Sequence, residues 1–368
     1  MELKQKKILI VDDAPENIQV LMQLLKKDYK IIAATNGSKA IELAQKDPQP
    51  DLILLDIKMP DMDGYEVCEQ LKGMPQTESI PIIFVSALSD EKDEYKGLSL
   101  GAEDYITKPF SPALVKTRVR NQLIVKQNKE DLERMVVERT QELQLTQAVM
   151  IESLGTLAEY RDPETGGHIK RTQNYVKALA KHLQKQGKFS DILTDDYIQL
   201  LYISSPLHDV GKVGVPDHIL QKPGKLTEEE YEEMKRHTIY GYNTLKRAEL
   251  RLGENAFIHI AKEIAYTHQE KWNGKGYPQG LKGEEIPLSG RLMAMADVYD
   301  ALISKRVYKP PFTHEKAVEI ITKGDNRTSP DDFDPTILQA FIEIQDEFKR
   351  IALMHADFDE EKKLLSGN

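Results

Sequence analysis

Four of the nine histidines in this chain stand where a metal centre would need them. His208 and Asp209 are adjacent, and Lys212 follows beyond a glycine. A neutral imidazole beside a carboxylate that bridges two cations makes a dinuclear core. Glu164 and His168 are four residues apart, which places both side chains on one face of a helix where they could share a metal. His237 and His268 supply further nitrogen ligands, and Asp297 could close the centre from another helix. His182, His218, His259, His314 and His355 lie in no such context and read as ordinary surface or core histidines.

A second constellation lies near the N-terminus. Asp12 and Asp13, Asp56, Ser86 and Lys108 each follow or end a short β-branched run. Singly, an Asp after a strand is a turn or a helix cap, and a Lys-Pro is a loop. Brought to one edge of a sheet, three carboxylates bind one Mg²⁺ through oxygen. Ser86 would then hydrogen-bond a phosphoryl oxygen, Lys108 would neutralise its charge, and Asp56 becomes the acceptor of phosphate.

The elements that must position these groups are legible. Lys7–Val11, Tyr29–Ala33, Leu52–Asp56, Ile82–Ser86 and Asp104–Thr107 alternate with helical segments, which implies a parallel sheet covered on both faces. From Ser111 to about Leu157 the chain reads as one long helix. Val136, Leu143, Met150 and Leu157 recur every seven residues there, but the companion positions Arg139, Thr146 and Ser153 are polar. This predicts a short, imperfect coiled coil; a solvated spacer helix is the plainer alternative. Beyond it, apolar residues fall at helical spacing in Ile169–Leu183, Tyr197–Leu207, Thr227–Ala248, Ala256–His268, Leu288–Leu302, His314–Thr322 and Pro335–Ala352. Gly and Pro concentrate in Val210–Gly224 and Asn273–Gly283, read as functional loops at helix ends.

Composition narrows the function. At 368 residues the chain suits two domains and a connector. The single cysteine, Cys68, excludes a disulfide or thiolate zinc site, so any metal must use His and carboxylates. A net charge of −10 disfavours binding a nucleic-acid polymer. No apolar run approaches the roughly 20 residues of a membrane span, and no secretory signal is apparent, so a cytoplasmic location is expected.

Val11-Asp12-Asp13, Leu55-Asp56-Ile57-Lys58-Met59-Pro60-Asp61-Met62-Asp63-Gly64, Val85-Ser86-Ala87 and Lys108-Pro109-Phe110 closely resemble the response-regulator receiver family over residues 5 to about 125. The resemblance implies a phosphorylated Asp56, Mg²⁺ held by Asp12, Asp13 and Asp56, a switch pair of Ser86 and Tyr105, Lys108 on the phosphoryl group, and a sensor histidine kinase as partner. Further on, Glu164 to His168, His208-Asp209-Val210-Gly211-Lys212-Val213-Gly214-Val215-Pro216-Asp217, Lys222-Pro223-Gly224, His237, Gly276-Tyr277-Pro278 and Asp297 to Lys309 resemble the HD-GYP family of metal phosphohydrolases. That resemblance implies two or three Fe²⁺ or Mn²⁺ ions on Glu164, His168, His208, Asp209, His237, His268 and Asp297. It also implies Lys212, Arg306 and Lys309 against phosphate, Tyr277 lining the pocket, and cyclic di-GMP as substrate, cleaved to pGpG or onward to GMP. Paired metals would lower the pKa of a bridging water and clamp the phosphate oxygens.

The expected architecture is therefore an α/β doubly wound receiver with a parallel five-stranded sheet (1–125), a coiled-coil-like helical linker that dimerises the chain (126–157), and an all-α HD-type domain (158–368). Two positions depart from the HD-GYP pattern. Gln269 stands where a second histidine is usual, leaving a neutral oxygen donor with Glu270 as a conceivable substitute ligand, and Asn273 replaces an aspartate. A weakened site that binds a cyclic dinucleotide as an effector, or one that cleaves a related cyclic dinucleotide, is the alternative.

Overall fold

The computed structural model describes residues 6–87, 96–159, 167–304, 311–356 and 358–366. The chain divides into two compact units, Met1–Gln141 and Glu142–Asn368.

In the first unit β1 (Lys7–Val11), β2 (Lys30–Ala34), β3 (Leu52–Asp56), β4 (Ile82–Ser86) and β5 (Asp104–Thr107) form one sheet in the order β2-β1-β3-β4-β5. Every pairing is parallel. Side chains alternate between faces, so Leu9, Val11, Ile53, Leu55 and Phe84 fill one core layer while Ile8, Ile10, Leu52, Leu54 and Val85 fill the other. That two-sided burial is why these strands read as unbroken apolar runs. Helices α1 (Pro15–Leu25), α2 (Gly37–Gln45) and α3 (Gly64–Lys72) flank the sheet. Val11 lies beside Leu55 and Asp56 beside Val85, a register that brings the acidic strand ends to one edge. β2 begins one residue later than its sequence suggests, at Lys30, because the Tyr29 N–H still turns back to the Leu25 carbonyl at the end of α1, and the Lys30 N–H is the first to reach across to Lys6.

A single helix, α4 (Pro112–Glu159), starts on the core of the first unit with Val115, Val119 and Leu123. Its distal end contributes Ile151 to a cluster with Leu207, Leu245, Ala261 and Ala265.

The second unit contains no strand among the described residues. Its helices are α5 (Gly167–Lys185), α6 (Asp195–Ser204), α7 (Asp217–Leu220), α8 (Glu228–Lys235), α9 (His237–Leu252), α10 (Ala256–Thr267), α11 (Leu288–Ile303), α12 (His314–Lys323), α13 (Pro335–Glu343), α14 (Gln345–Met354) and α15 (Asp359–Ser366). α11 is buried on most of its circumference and sits in the core with Tyr175, Leu179, Ile264, Phe341 and Phe348. Two stretches of continuous helical spacing are broken, at Arg236 and at Ile344, though no Pro or Gly stands at either break. At the first break the Arg236 N–H turns back to Glu233 and Met234, so a new helix starts on His237.

Two glycines permit the close approaches that assemble the site. A Cβ on Gly211 would lie 1.9 Å from the His237 carbonyl oxygen, and one on Gly290 would lie 2.1 Å from Thr267 Oγ1. The first locks the His-Asp turn to α9; the second lets α11 meet the end of α10 beside His268.

Candidate metal centre and phosphoacceptor site

α5, the turn after α6, α9, α10 and α11 each deliver a ligand candidate. His168 comes from the first turn of α5, His208 and Asp209 follow a 3-10 turn at Ser205–Leu207, His237 opens α9, His268 caps α10, and Asp297 projects from α11. Their donor atoms fall into two groups, His168–His208–Asp297 and Asp209–His237–His268, each within 4.8 Å. Asp209 touches both groups. Its Oδ2 is 3.3 Å from His208 Nε2, while Oδ1 is 3.3 Å from His237 Nε2 and 3.4 Å from His268 Nε2.

The surroundings of the rings settle which nitrogen points inward. Nδ1 of His208, His237 and His268 lies 3.0, 2.8 and 3.0 Å from the carbonyl oxygens of Ser205, Met234 and Ile264. Nδ1 of His168 lies 2.8 Å from Asp300 Oδ2. A carbonyl or carboxylate can only accept, so each Nδ1 carries the proton and each neutral ring aims a lone pair from Nε2. Those lone pairs meet head-on, His168 against His208 at 3.3 Å and His237 against His268 at 3.4 Å. Asp209 Oδ1 is buried with no hydrogen bond among the described residues. Facing lone pairs and an orphaned carboxylate oxygen require positive charge between them, so the residues present fit a pair of divalent cations.

Electrostatics agree. Burial disfavours charge on His208, yet the carboxylates of Asp209 and Asp297 outweigh it and raise its pKa, drawing a proton to the position a cation would take. Burial likewise opposes the Asp209 carboxylate, but Lys212 and His208 hold it well below the ordinary range. Lys212 Nζ lies 2.8 Å from Asp209 Oδ2. His237 is pushed down to about 4, chiefly by burial, and stays neutral near pH 7. Tyr277 stands edge-on to His237, 6.2 Å between ring centres, and burial raises its pKa.

In the first unit, Asp12, Asp13 and Asp56 form the third such carboxylate or histidine group. Lys108 Nζ lies 2.9 Å from Asp12 Oδ2 and 2.7 Å from Asp56 Oδ1. Burial raises the Asp56 pKa against the opposing hydrogen bond from Lys108. Ser86 ends β4 beside Thr107, and Tyr105 lies on β5 with the Arg118 guanidinium 5.1 Å from its ring centre.

The sequence comparisons bear on both units. A family model described as HD domain matches residues 146–337, and one described as response regulator receiver domain matches residues 8–120. A probable cyclic di-GMP phosphodiesterase of Vibrio cholerae is 48% identical over 364 residues, spanning 97% of this chain and 81% of that protein. A cyclic di-GMP phosphodiesterase of Thermotoga maritima is 33% identical over 369 residues, spanning 96% of this chain and 94% of that protein. This chain belongs to the HD-domain cyclic di-GMP phosphodiesterase family. Another member, the cyclic di-GMP phosphodiesterase response regulator RpfG of Xanthomonas campestris, is 35% identical over 299 residues, or 79% of this chain and 75% of its own length. The HD domain implies divalent metal binding and the receiver implies a phosphodonor.

Against the family pattern, three expected site residues, Glu164, Arg306 and Lys309, lie outside the described residues. Gln269 is at the site, but its amide nitrogen donates to Asp297 Oδ2 at 3.3 Å. Glu270 anchors the loop that carries Tyr277: its two oxygens accept the backbone N–H groups of Gln279 and Leu281. Asn273 donates to Asp332 Oδ1 at 2.7 Å, where an aspartate would repel.

Sequence reasoning missed the buried support. Asp300 takes His168 Nδ1 on one oxygen and the Arg171 guanidinium on both, while Arg171 also reaches the His355 carbonyl. Burial opposes the Asp300 charge, and Arg171 and His168 more than offset it, holding the carboxyl well below its ordinary range. The available signal was spacing: Arg171 and Asp300 each lie three residues beyond a ligand candidate on the same helix.

Proposed function

We propose that the protein is a two-component response regulator in which phosphorylation of Asp56 controls hydrolysis of cyclic di-GMP at the paired histidine groups. The observation that carries the catalytic half is Asp209, whose two oxygens face different histidine groups from a buried position.

His168, His208 and Asp297 would hold one divalent ion and His237 and His268 another, with Asp209 shared, Glu164 completing the set, and Fe²⁺ or Mn²⁺ favoured by the nitrogen-rich donors. Two or three such ions, when bound, supply an acidified water and a clamp on phosphate oxygens. Asp300 keeps His168 in the tautomer that presents Nε2. Lys212 sits beside the shared carboxylate, placed to offset charge on the phosphate as it is attacked, with Arg306 and Lys309 in the same role. Tyr277, edge-on to His237, would wall the pocket on that side.

In the receiver, Asp12 and Asp13 would hold Mg²⁺ with Asp56, and a sensor histidine kinase would be the phosphodonor. An Asp56 oxygen attacks the phosphorus of the phosphohistidine, whose imidazole leaves; Lys108 and Ser86 take up the phosphoryl oxygens, and Tyr105 responds. No helix among the described residues is long and apolar enough to cross a membrane. We place the protein in the cytoplasm, binding neither membrane nor nucleic-acid polymer, as a homodimer through α4, where Val136, Leu143, Met150 and Leu157 are each more than half exposed.

A second reading, a cyclic dinucleotide held as a signal without cleavage, has Gln269 in its favour. One experiment separates the two: anaerobically purified protein is given cyclic di-GMP with and without added Fe²⁺ or Mn²⁺, and products are resolved by chromatography. Metal-dependent appearance of pGpG or GMP is expected. Tight binding with no product at saturating metal would overturn the enzymatic reading.

A further inference from the structure

A row of side chains leads outward from the metal centre. His237 meets the edge of Tyr277, and Lys235 Nζ lies 5.7 Å from the centre of the Tyr277 ring and 5.4 Å from that of Tyr231. Tyr231 and Lys235 are four residues apart on α8 and so share one face, one residue short of the turn into His237. Met234, on the same helix, packs with Val215, Ile219 and Leu220. Tyr231 does not join that cluster and is 49% exposed. Lys235 is held by Glu232, itself mostly exposed, so the pairing is screened by solvent and the ammonium has further donors to offer.

A half-exposed tyrosine ring with an ammonium over it, one ring away from the paired histidines, matches the chemistry of a purine. Any base stacks on an aromatic side chain, whereas a lysine selects guanine through the adjacent O6 and N7 acceptors; adenine replaces O6 with a donor. We propose that Tyr231 and Lys235 form the base-recognition platform of the site, Tyr231 stacking a base of the dinucleotide and Lys235 selecting guanine over adenine. The proposal rests on the phosphodiesterase reading above and deepens it by naming the residues that set the nucleobase. A phosphate held beside His237 would extend its nucleoside along the row toward Tyr231.

The test uses the full chain loaded with Mn²⁺, the variants Tyr231→Ala, Tyr231→Phe and Lys235→Met, and three substrates: cyclic di-GMP, cyclic di-AMP and bis(p-nitrophenyl) phosphate, a diester without bases. Tyr231→Ala should raise KM for cyclic di-GMP about five- to hundredfold with little change in kcat, the size expected for one lost base stack. Its kcat on bis(p-nitrophenyl) phosphate, which reads the cleavage step apart from ring stacking, should change no more than its kcat on cyclic di-GMP, and Tyr231→Phe should keep the wild-type cyclic di-GMP KM. Lys235→Met should bring the preference for cyclic di-GMP over cyclic di-AMP toward parity. Equal losses on all three substrates, or an unchanged KM for cyclic di-GMP, would overturn the platform while leaving the enzyme reading intact. A wild-type protein that cleaves the baseless diester but not cyclic di-GMP would overturn the substrate reading and the platform with it.

Discussion

The Nε2 atoms of His168 and His208 face each other across 3.3 Å, while Nδ1 of each ring is turned away, to Asp300 in one case and to the Ser205 carbonyl in the other. Two lone pairs at that distance repel unless a proton or a metal ion lies between them. The same relation holds for His237 and His268, and Asp209 spans both pairs. The centre is thus built by backbone carbonyls and one buried carboxylate that fix tautomers before any ligand arrives.

The turn carrying Asp209 depends on Gly211. A methyl group there would meet the His237 carbonyl oxygen at 1.9 Å and the Gly241 nitrogen at 2.4 Å, both backbone atoms that cannot swing aside. Gly211→Ala should cost about 1–3 kcal/mol or more of stability and weaken metal binding together. Urea denaturation with metal analysis checks this; an unchanged midpoint and metal content would mean that the turn is not packed as described.

Much of this was legible in the sequence. Four of the five strands fall where the apolar runs put them, because a sheet buried on both faces needs continuous apolar strands and polar strand ends. His208, Asp209, His237, His268 and Asp297 converge as their motifs suggested. The breaks at Arg236 and Ile344 were not legible, since tertiary packing rather than Pro or Gly ends those helices. Nor was Asp300, whose part depends on a guanidinium 129 residues away in sequence. Glu270 anchors two backbone N–H groups of the loop that carries Tyr277, a part that composition cannot show.

Gln269 donates to Asp297 and so draws on a carboxylate that the first histidine pair needs. Gln269→His should restore a nitrogen donor and raise metal occupancy, with turnover at low added Mn²⁺ rising and the gain shrinking at saturation. A metal titration in which neither occupancy nor rate changes would show that the amide does not limit the centre.

Asp56 is the buried carboxylate bound by Lys108, and burial already works against its charge. Asp56→Asn should abolish labelling from acetyl phosphate. Uptake at the wild-type rate in that variant would remove Asp56 as the acceptor.

Val136, Leu143, Met150 and Leu157 leave an apolar line open to solvent on α4. Burying them against a second copy would stabilise a helix pair by about 1.5–3 kcal/mol per side chain, with Arg139, Thr146 and Ser153 keeping the pair marginal. Sedimentation should show a dimer at tens of micromolar protein; a monomer with and without phosphorylation would contradict this.

The central claim, that Asp209 joins two metal positions into one hydrolytic centre, is tested most directly by counting metal per chain and following cyclic di-GMP turnover in Asp209→Ala beside the wild type. Wild type should carry at least two transition-metal ions per chain and release a linear product. Asp209→Ala should lose metal and turnover together. A variant that keeps its full metal content and hydrolyses cyclic di-GMP at the wild-type rate would contradict the account.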